Sequence, residues 1–183
     1  MLKKVLEQRK VEIPSGVSVQ ISGMKVRVEG PKGILERDFS YAKGIGIRVE
    51  DSTVVIESYF VDRRRKALVG TIASHIQNMI TGVTRGFRYK LKIVFSHFPI
   101  TVEARGREVI IKNFLGEKAP RRAIIEEGVT VRVEGEDVIV EGIDIEKVGQ
   151  TAANIEHACK IKELDRRVFL DGIYVYERGV IEE

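Results

Sequence analysis

The strongest constraint on this chain is that it repeats itself. Residues 47–57, IRVEDSTVVIE, match 131–141, VRVEGEDVIVE, at an offset of 84, and residues 70–79, GTIASHIQNM, match 150–159, QTAANIEHAC, at an offset of 80. The first match alternates apolar and polar residues before a turn and has a short apolar run after it; the second has helical spacing. The four residues by which the offsets differ fall near Tyr59 to Arg65, where strand pattern gives way to helix pattern. A self-match that keeps a turn and a helix in the same order marks a duplicated unit. Each copy predicts an antiparallel sheet that buries one face under a helix. The fold class read from the sequence is α+β: two tandem, structurally similar domains, residues 1–85 and 86–183, each an antiparallel β-sheet covered by one long helix. A length of 183 residues accommodates two such domains.

Within the first copy, Val17, Val19 and Ile21 alternate with polar residues, as do Val26 and Val28, around a turn at Ser22-Gly23-Met24. Gly30-Pro31-Lys32-Gly33 is a second turn. Ile45, Ile47 and Val49 face Val54 to Ile56 across Glu50-Asp51-Ser52. At Asp62, an acceptable N-cap, the period becomes 3.6, and the helix is predicted to run to about Gly82. The second copy repeats the order. Leu91, Ile93 and Phe95, then Ile100, Val102 and Ala104, then Val109 and Ile111 alternate; Asn113 to Lys118 reads as a loop. Val129 to Val133 and Val138 to Val140 flank another turn, and a helix runs from near Asp144 to about Cys159.

Several function classes are excluded on composition. Residues 67–84 carry no formal charge, but Leu68, Ile72, Ile76, Met79 and Val83 make one stripe, and Thr71, Ser74, Gln77 and Asn78 interrupt the rest. That is an amphipathic helix, whereas a membrane span needs about 20 mostly apolar residues. The single Cys159 rules out a disulfide framework and a multi-cysteine metal site. The start, MLKKVLEQRKVEI, lacks the apolar run of a signal peptide, so a reducing, cytoplasmic setting is expected.

No catalytic constellation stands out. His157 and Cys159 are two apart and so point to different faces of a helix. His75 and His97 lie in different copies, and His97-Phe98-Pro99 reads as packing at a strand end. The acidic residues Glu134, Glu136, Asp137, Glu141, Asp144 and Glu146 follow a strand, a turn and a helix start, the pattern of a solvated face. Gly30-Pro31-Lys32-Gly33 lacks the helix and the Gly-Lys-Ser/Thr sequence of a phosphate-binding loop.

The charge distribution carries more. The net charge is +4, but residues 1–88 hold 16 basic and 9 acidic residues, and residues 89–183 hold 15 basic and 18 acidic. A basic first half favours an anionic partner. Arg63, Arg64, Arg65 and Lys66 open the first helix, where cations oppose the helix dipole and an external anion would compensate. Lys118, Arg121 and Arg122 flank a loop in which Asn113 and Phe114 read as exposed. Lys160, Lys162, Arg166 and Arg167 precede Phe169, Tyr174 and Tyr176. Guanidinium and ammonium groups interleaved with aromatic rings suit RNA, holding phosphates while rings stack on unpaired bases.

The segments VRVEGPKGILERDF (26–39), KALVGTIASHIQNMITGVTRGFRYKLKIVFSHFPI (66–100), NFLGEKAPRR (113–122), GIDIEKVGQTAANIE (142–156) and RVFLDGIYVYERG (167–179) resemble, in order and over essentially the whole chain, the large-subunit ribosomal proteins of family six in their archaeal and eukaryotic form. The resemblance implies two similar α+β domains, no enzymatic activity, no cofactor or metal, and binding to large-subunit rRNA near the sarcin–ricin loop and the base of the factor-binding stalk. The implied partners are that rRNA and neighbouring ribosomal proteins, with no membrane and no small-molecule substrate. Carried over by family pattern, Asn113, Gly116, Lys118, Arg121, Arg122, Gln150, Arg167 and Tyr174 are expected on the RNA side. Leu164 and His157 depart from that pattern, which has a basic residue and Gln at these positions. A free RNA-binding regulator on the same duplicated domain is the alternative reading, and an enzyme a third, disfavoured by the missing catalytic constellation.

Two structural expectations remain. The loop from Asn113 to Arg122 has few apolar anchors and should be ordered by RNA more than by protein. The segment 160–176 should dock through Phe169, Leu170, Ile173 and Val175, with Asp171-Gly172 as its turn, and the acidic region 134–146 should point away from the RNA.

Overall fold

The computed structural model describes residues 4–162, 165 and 167–181. The chain divides into two compact units between Arg85 and Gly86.

In the first unit, β1 (Lys4–Glu12), β5 (Gly46–Glu50) and β6 (Thr53–Val61) form one antiparallel sheet in the order β1-β6-β5. β2 (Ser18–Ser22), β3 (Lys25–Gly30) and β4 (Gly33–Asp38) form a second, in the order β2-β3-β4. α1 (Arg63–Thr84) buries Val69, Ile72, Ile76, Met79, Ile80 and Val83 against both, meeting Val26 and Val28 of β3 and Val54 and Ile56 of β6. The helix starts where Asp62 caps it, its carboxylate accepting from the Arg65 N–H at 2.7 Å.

The second unit repeats this order. β7 (Phe87–Val94), β11 (Val129–Glu134) and β12 (Asp137–Gly142) stand where β1, β5 and β6 stand, and β8 (Thr101–Arg105), β9 (Glu108–Lys112) and β10 (Arg121–Ile124) form the order β10-β9-β8. α2 (Ile145–Ala158) buries Val148, Ala152 and Ile155 against Leu91, Val109, Ile111, Val138 and Val140. One strand has no counterpart: β13 (Gly172–Val180) pairs antiparallel with the outer edge of β7, giving the order β11-β12-β7-β13.

The chain thus forms the expected α+β pair of sheet-plus-helix units, with the strands of each unit divided between two antiparallel sheets. Alternation reports which face of a strand is buried, not which sheet the strand joins, and both sheets of a unit present their apolar faces to the same helix. The offset of 84 survives to atomic detail. Gly44 and Gly128 both have φ of 81°, a left-handed conformation that glycine adopts without strain. Ser58 donates to the Gly44 carbonyl at 2.8 Å; at the corresponding Gly142, a Cβ would stand 3.3 Å from the Gly128 carbonyl and 2.9 Å from Val148.

Candidate nucleic-acid interface

In the first unit the basic cluster sits on the first turn of α1. Arg63, Arg64 and Lys66 are exposed, while Arg65 folds back to donate to the Tyr59 carbonyl at 3.2 Å.

In the second unit two segments build the candidate surface. The loop between β9 and β10 contains a single 3₁₀ turn, Phe114–Gly116, with left-handed conformations at Asn113 before it (φ 59°) and at Leu115 (51°) and Gly116 (77°) within it. A leucine there is disfavoured by about 1–2 kcal/mol, so the loop must be held. Several contacts hold it. Phe114 is 1% exposed and fills the core, and the Asn113 side chain donates to the Pro99 carbonyl at 3.0 Å. Phe98 covers Gly116 so closely that a Cβ would lie 3.3 Å from its ring. The Arg121 guanidinium lies 4.3 Å from the Phe114 ring centroid and engages both Glu117 carboxylate oxygens, at 2.8 and 2.6 Å. Its remaining terminal nitrogen donates to the carbonyls of Ala158, at 2.8 Å, and Lys160, at 3.2 Å. The hydrogen bond from Arg121 holds the Glu117 carboxyl below its ordinary range. Phe114, expected on the surface, is thus a core residue, and the loop is ordered by protein contacts. The apolar anchor was invisible because a lone aromatic in a loop has no periodicity to reveal its face.

The tail is fastened by a buried carboxylate. Asp171, expected as part of a turn, is 1% exposed; it accepts from the Ser96 N–H and lies 3.2 Å from His97 Nδ1. The His97 ring packs against Phe169 with centroids 4.8 Å apart and the planes tilted by 31°. Ile173 is fully buried and Phe169 and Val175 pack on the core, but Leu170 is exposed rather than docked. The Tyr174 hydroxyl donates to the Leu170 carbonyl at 3.2 Å, and its ring lies against Gly172, where a Cβ would meet it at 2.7 Å.

Two clefts flank the end of α2, one beside the loop and one beside the tail. One, of about 770 Å³, is lined by Leu115, Glu117, Arg121, Arg122, His157, Lys160 and Lys162 among others. The second, of about 520 Å³, is lined by His157, Lys160, Ile161, Phe169, Leu170 and Tyr174 together with buried core atoms. Cys159 lies at the floor of the second, and burial pushes its thiol up to about 12.

The electrostatics resolve the net acidity of this half. The acidic residues around the β11–β12 turn are paired across the sheet: Glu141 with Arg88 at 2.5 Å and with Arg132 at 3.2 Å, and Lys92 with Glu136 and Asp137, each at 3.4 Å. Among the described residues, by contrast, Lys118, Lys160 and Lys162 make no ion pair. Arg122 makes one exposed pair, with Glu108 at 3.2 Å, which contributes little. Lys118 thus leaves its positive charge uncompensated on the loop, and Lys160 and Lys162 leave theirs at the clefts.

The family model of ribosomal protein L6 matches the chain twice, over residues 13–86 and 98–172. The chain belongs to the ribosomal protein L6 family. One match falls on each copy of the repeated unit. Among its relatives are proteins named large ribosomal subunit protein uL6 from Ignicoccus hospitalis, 62% identical over 99% of this chain and 100% of that protein, and from Aeropyrum pernix, 62% identical over the same shares. The protein of that name from Methanococcus vannielii is 52% identical over 95% of each. These L6 relatives are ribosomal proteins, not enzymes.

Of the positions singled out in this L6 chain, the fold brings Arg121, Arg122, Lys160 and Lys162 to one cleft and Tyr174 to the next. Asn113, Gly116 and Lys118 lie on the adjoining loop, and Arg167 is exposed on the tail. Gln150 is exposed on α2, lines neither cleft, and donates to Asn154 at 2.9 Å. Arg63, Arg64, Arg65 and Lys66 belong to the other unit. Arg166 and Leu164 lie outside the described residues. Sequence reasoning missed Leu115, Ile161 and Leu170 as cleft residues, and read His157 as a rejected partner of Cys159 and a departure from the family pattern, not as a cleft residue. Among the described residues, no three His, Cys, Asp or Glu side chains converge to hold a metal, and no helix is long and apolar enough to cross a membrane.

Proposed function

We propose that this protein is a structural constituent of the large ribosomal subunit that grips rRNA near the sarcin–ricin loop and the base of the factor-binding stalk, chiefly through its second unit and beside neighbouring ribosomal proteins in the cytoplasm. The observation that carries this reading is the grouping of Lys118, Lys160 and Lys162, without acidic partners among the described residues, beside exposed aromatic and apolar side chains on a surface fastened from within. Lysines without partners release counterions on meeting phosphates, and a preordered surface loses little entropy on binding. Asn113, Gly116, Arg122, Gln150, Arg166, Arg167 and Tyr174 lie on the RNA side in this reading. Arg121 contributes by positioning the loop and by its field. Arg63, Arg64, Arg65 and Lys66 add a weaker electrostatic contact from the first unit. The family membership supports the assignment to the large subunit.

The test is co-sedimentation with large subunits in high salt, followed by chemical footprinting of rRNA with and without the protein. The expected result is retention on the particle and protection confined to the sarcin–ricin and stalk-base region. Release from the particle with protection of other RNA would favour a free RNA-binding regulator.

A further inference from the structure

We propose that the two clefts of the second unit form a single nucleotide site: the cleft beside Phe169, Leu170 and Tyr174 takes an unpaired RNA base, and the basic cleft beside Lys160 and Lys162 takes the phosphates that flank it. The proposal rests on the rRNA-binding reading and narrows it from a charged surface to the capture of one splayed-out nucleotide.

The two clefts share a wall. His157, Lys160 and Ile161, at the end of α2 and just beyond it, line both. On one side of this ridge stand Arg121, Arg122 and Lys162, with Glu117 already bound by Arg121; on the other stand Phe169, Leu170, Ile173 and Tyr174, with Glu156 as the one carboxylate of the lining. A nucleotide has the same division, with charge on its backbone and an apolar face on its base, and one that straddles the ridge places each part against matching chemistry. At about 520 Å³ the apolar cleft lies within the range of small-ligand pockets, roughly 300–1,000 Å³.

The apolar side is held in place before any ligand arrives. Phe169 packs against the His97 ring, and the Tyr174 hydroxyl is tied to the Leu170 carbonyl. Leu170 itself is 57% exposed, so core packing does not account for it. Bases inside an A-form duplex cannot reach such a cleft, because the major groove is narrow and the base faces are stacked. The occupant is therefore a base from a bulge or loop, where stacking against side chains replaces the lost neighbours. His157 on the ridge offers ring nitrogens to the edge of that base.

The experiment measures binding of the full chain to deproteinised large-subunit rRNA across a salt series. Leu170→Ser and His157→Ala both alter exposed side chains, so circular dichroism should report an intact fold. Leu170→Ser is expected to weaken binding about five- to a hundredfold with no change in salt slope, because every lysine and arginine that meets a phosphate is still present. Lys160→Ala with Lys162→Ala should lower both affinity and slope. Chemical probing should find one unpaired base that the wild-type chain protects and that becomes reactive with Leu170→Ser, while backbone protection around it persists. If Leu170→Ser and His157→Ala both bind like wild type and leave every base equally protected, the base site is wrong while the rRNA-binding reading stands. If the wild-type chain does not bind this rRNA, both fail.

Discussion

The two units treat one junction in different ways. In the first, the turn between β3 and β4 is two residues long and meets the last turn of α1 backbone to backbone: the Lys32 N–H donates to the Val83 carbonyl at 2.9 Å, and Gly30 lies so close that a Cβ would stand 2.6 Å from the Val83 side chain. In the second, eight residues, 113–120, replace that turn, and the helix is 14 residues long against 22. The loop still meets the helix end, but through the guanidinium of Arg121 on the carbonyls of Ala158 and Lys160. Shortening the helix and lengthening the turn opens space at that corner, and the clefts lie there. The second unit also gains β13, which covers the β7 edge that corresponds to the open edge of β1. The two copies thus share a scaffold, and the proposed RNA surface lies on what was inserted at a turn and added after the helix.

This contrast can be broken in order of expected effect. Phe114→Ala empties a core position that has no counterpart in the two-residue turn of the first unit. It should cost about 3–5 kcal/mol. Hydrogen exchange should report the loss in β9 and β12 but not in β3 or β6; equal loss in both units would mean that they do not fold as separate cores. The paired substitutions at the junction come next. Gly30→Ala should destabilise only the first unit, by about 1–3 kcal/mol, through overpacking against Val83. Arg121→Ala should destabilise only the second, by about 1–3 kcal/mol, because Glu117 and the helix-end carbonyls lose their donors. Arg121→Lys should restore little, since one ammonium cannot span both groups. Urea unfolding followed by unit-specific exchange checks both.

Much of this was legible in the sequence because it depends on periodicity. The repeat, both helices, the Asp62 cap and the hairpin turns all follow from alternation or from the 3.6 period. The parts that were not legible depend on single residues with no period. Phe114 and Asp171 lie in non-repetitive segments, and whether such a side chain faces the core or the solvent is decided by partners far along the chain: Arg121 and the core for one, Ser96 and His97 for the other. β4 and β10 were missed because GILERD and RRAI are dominated by charged residues, which edge strands tolerate on their solvent face. For the candidate site, the cationic residues were visible as clusters, but the apolar cleft was not, because Leu115, Ile161 and Leu170 read as ordinary core-formers until their exposure is known.

A smaller effect sharpens the comparison chemically. Cys159 is a feature of the second unit alone, and burial pushes its thiol from an ordinary 9.0 to about 12. The folded state therefore holds this proton more tightly than the unfolded state does. The associated stability is present below pH 9 and is lost as pH rises from there towards 12. At pH 8 the native thiol should resist alkylation and react at the rate of a free cysteine only when the second unit is unfolded. Rapid modification of the native protein would show that the floor of the apolar cleft is open to solvent.

The central claim, that the additions to the second unit rather than the repeated scaffold hold the RNA, is tested most directly by the salt dependence of rRNA affinity in the triple variant Lys118→Ala, Lys160→Ala, Lys162→Ala. These side chains are exposed and make no ion pairs among the described residues, so stability should change little. Binding should weaken, and the log–log salt slope should become shallower by about 0.7–0.9 for each phosphate that is no longer neutralised. An unchanged slope and affinity in that variant, with the same losses appearing instead in Arg63→Ala, Arg64→Ala, Lys66→Ala, would contradict the claim.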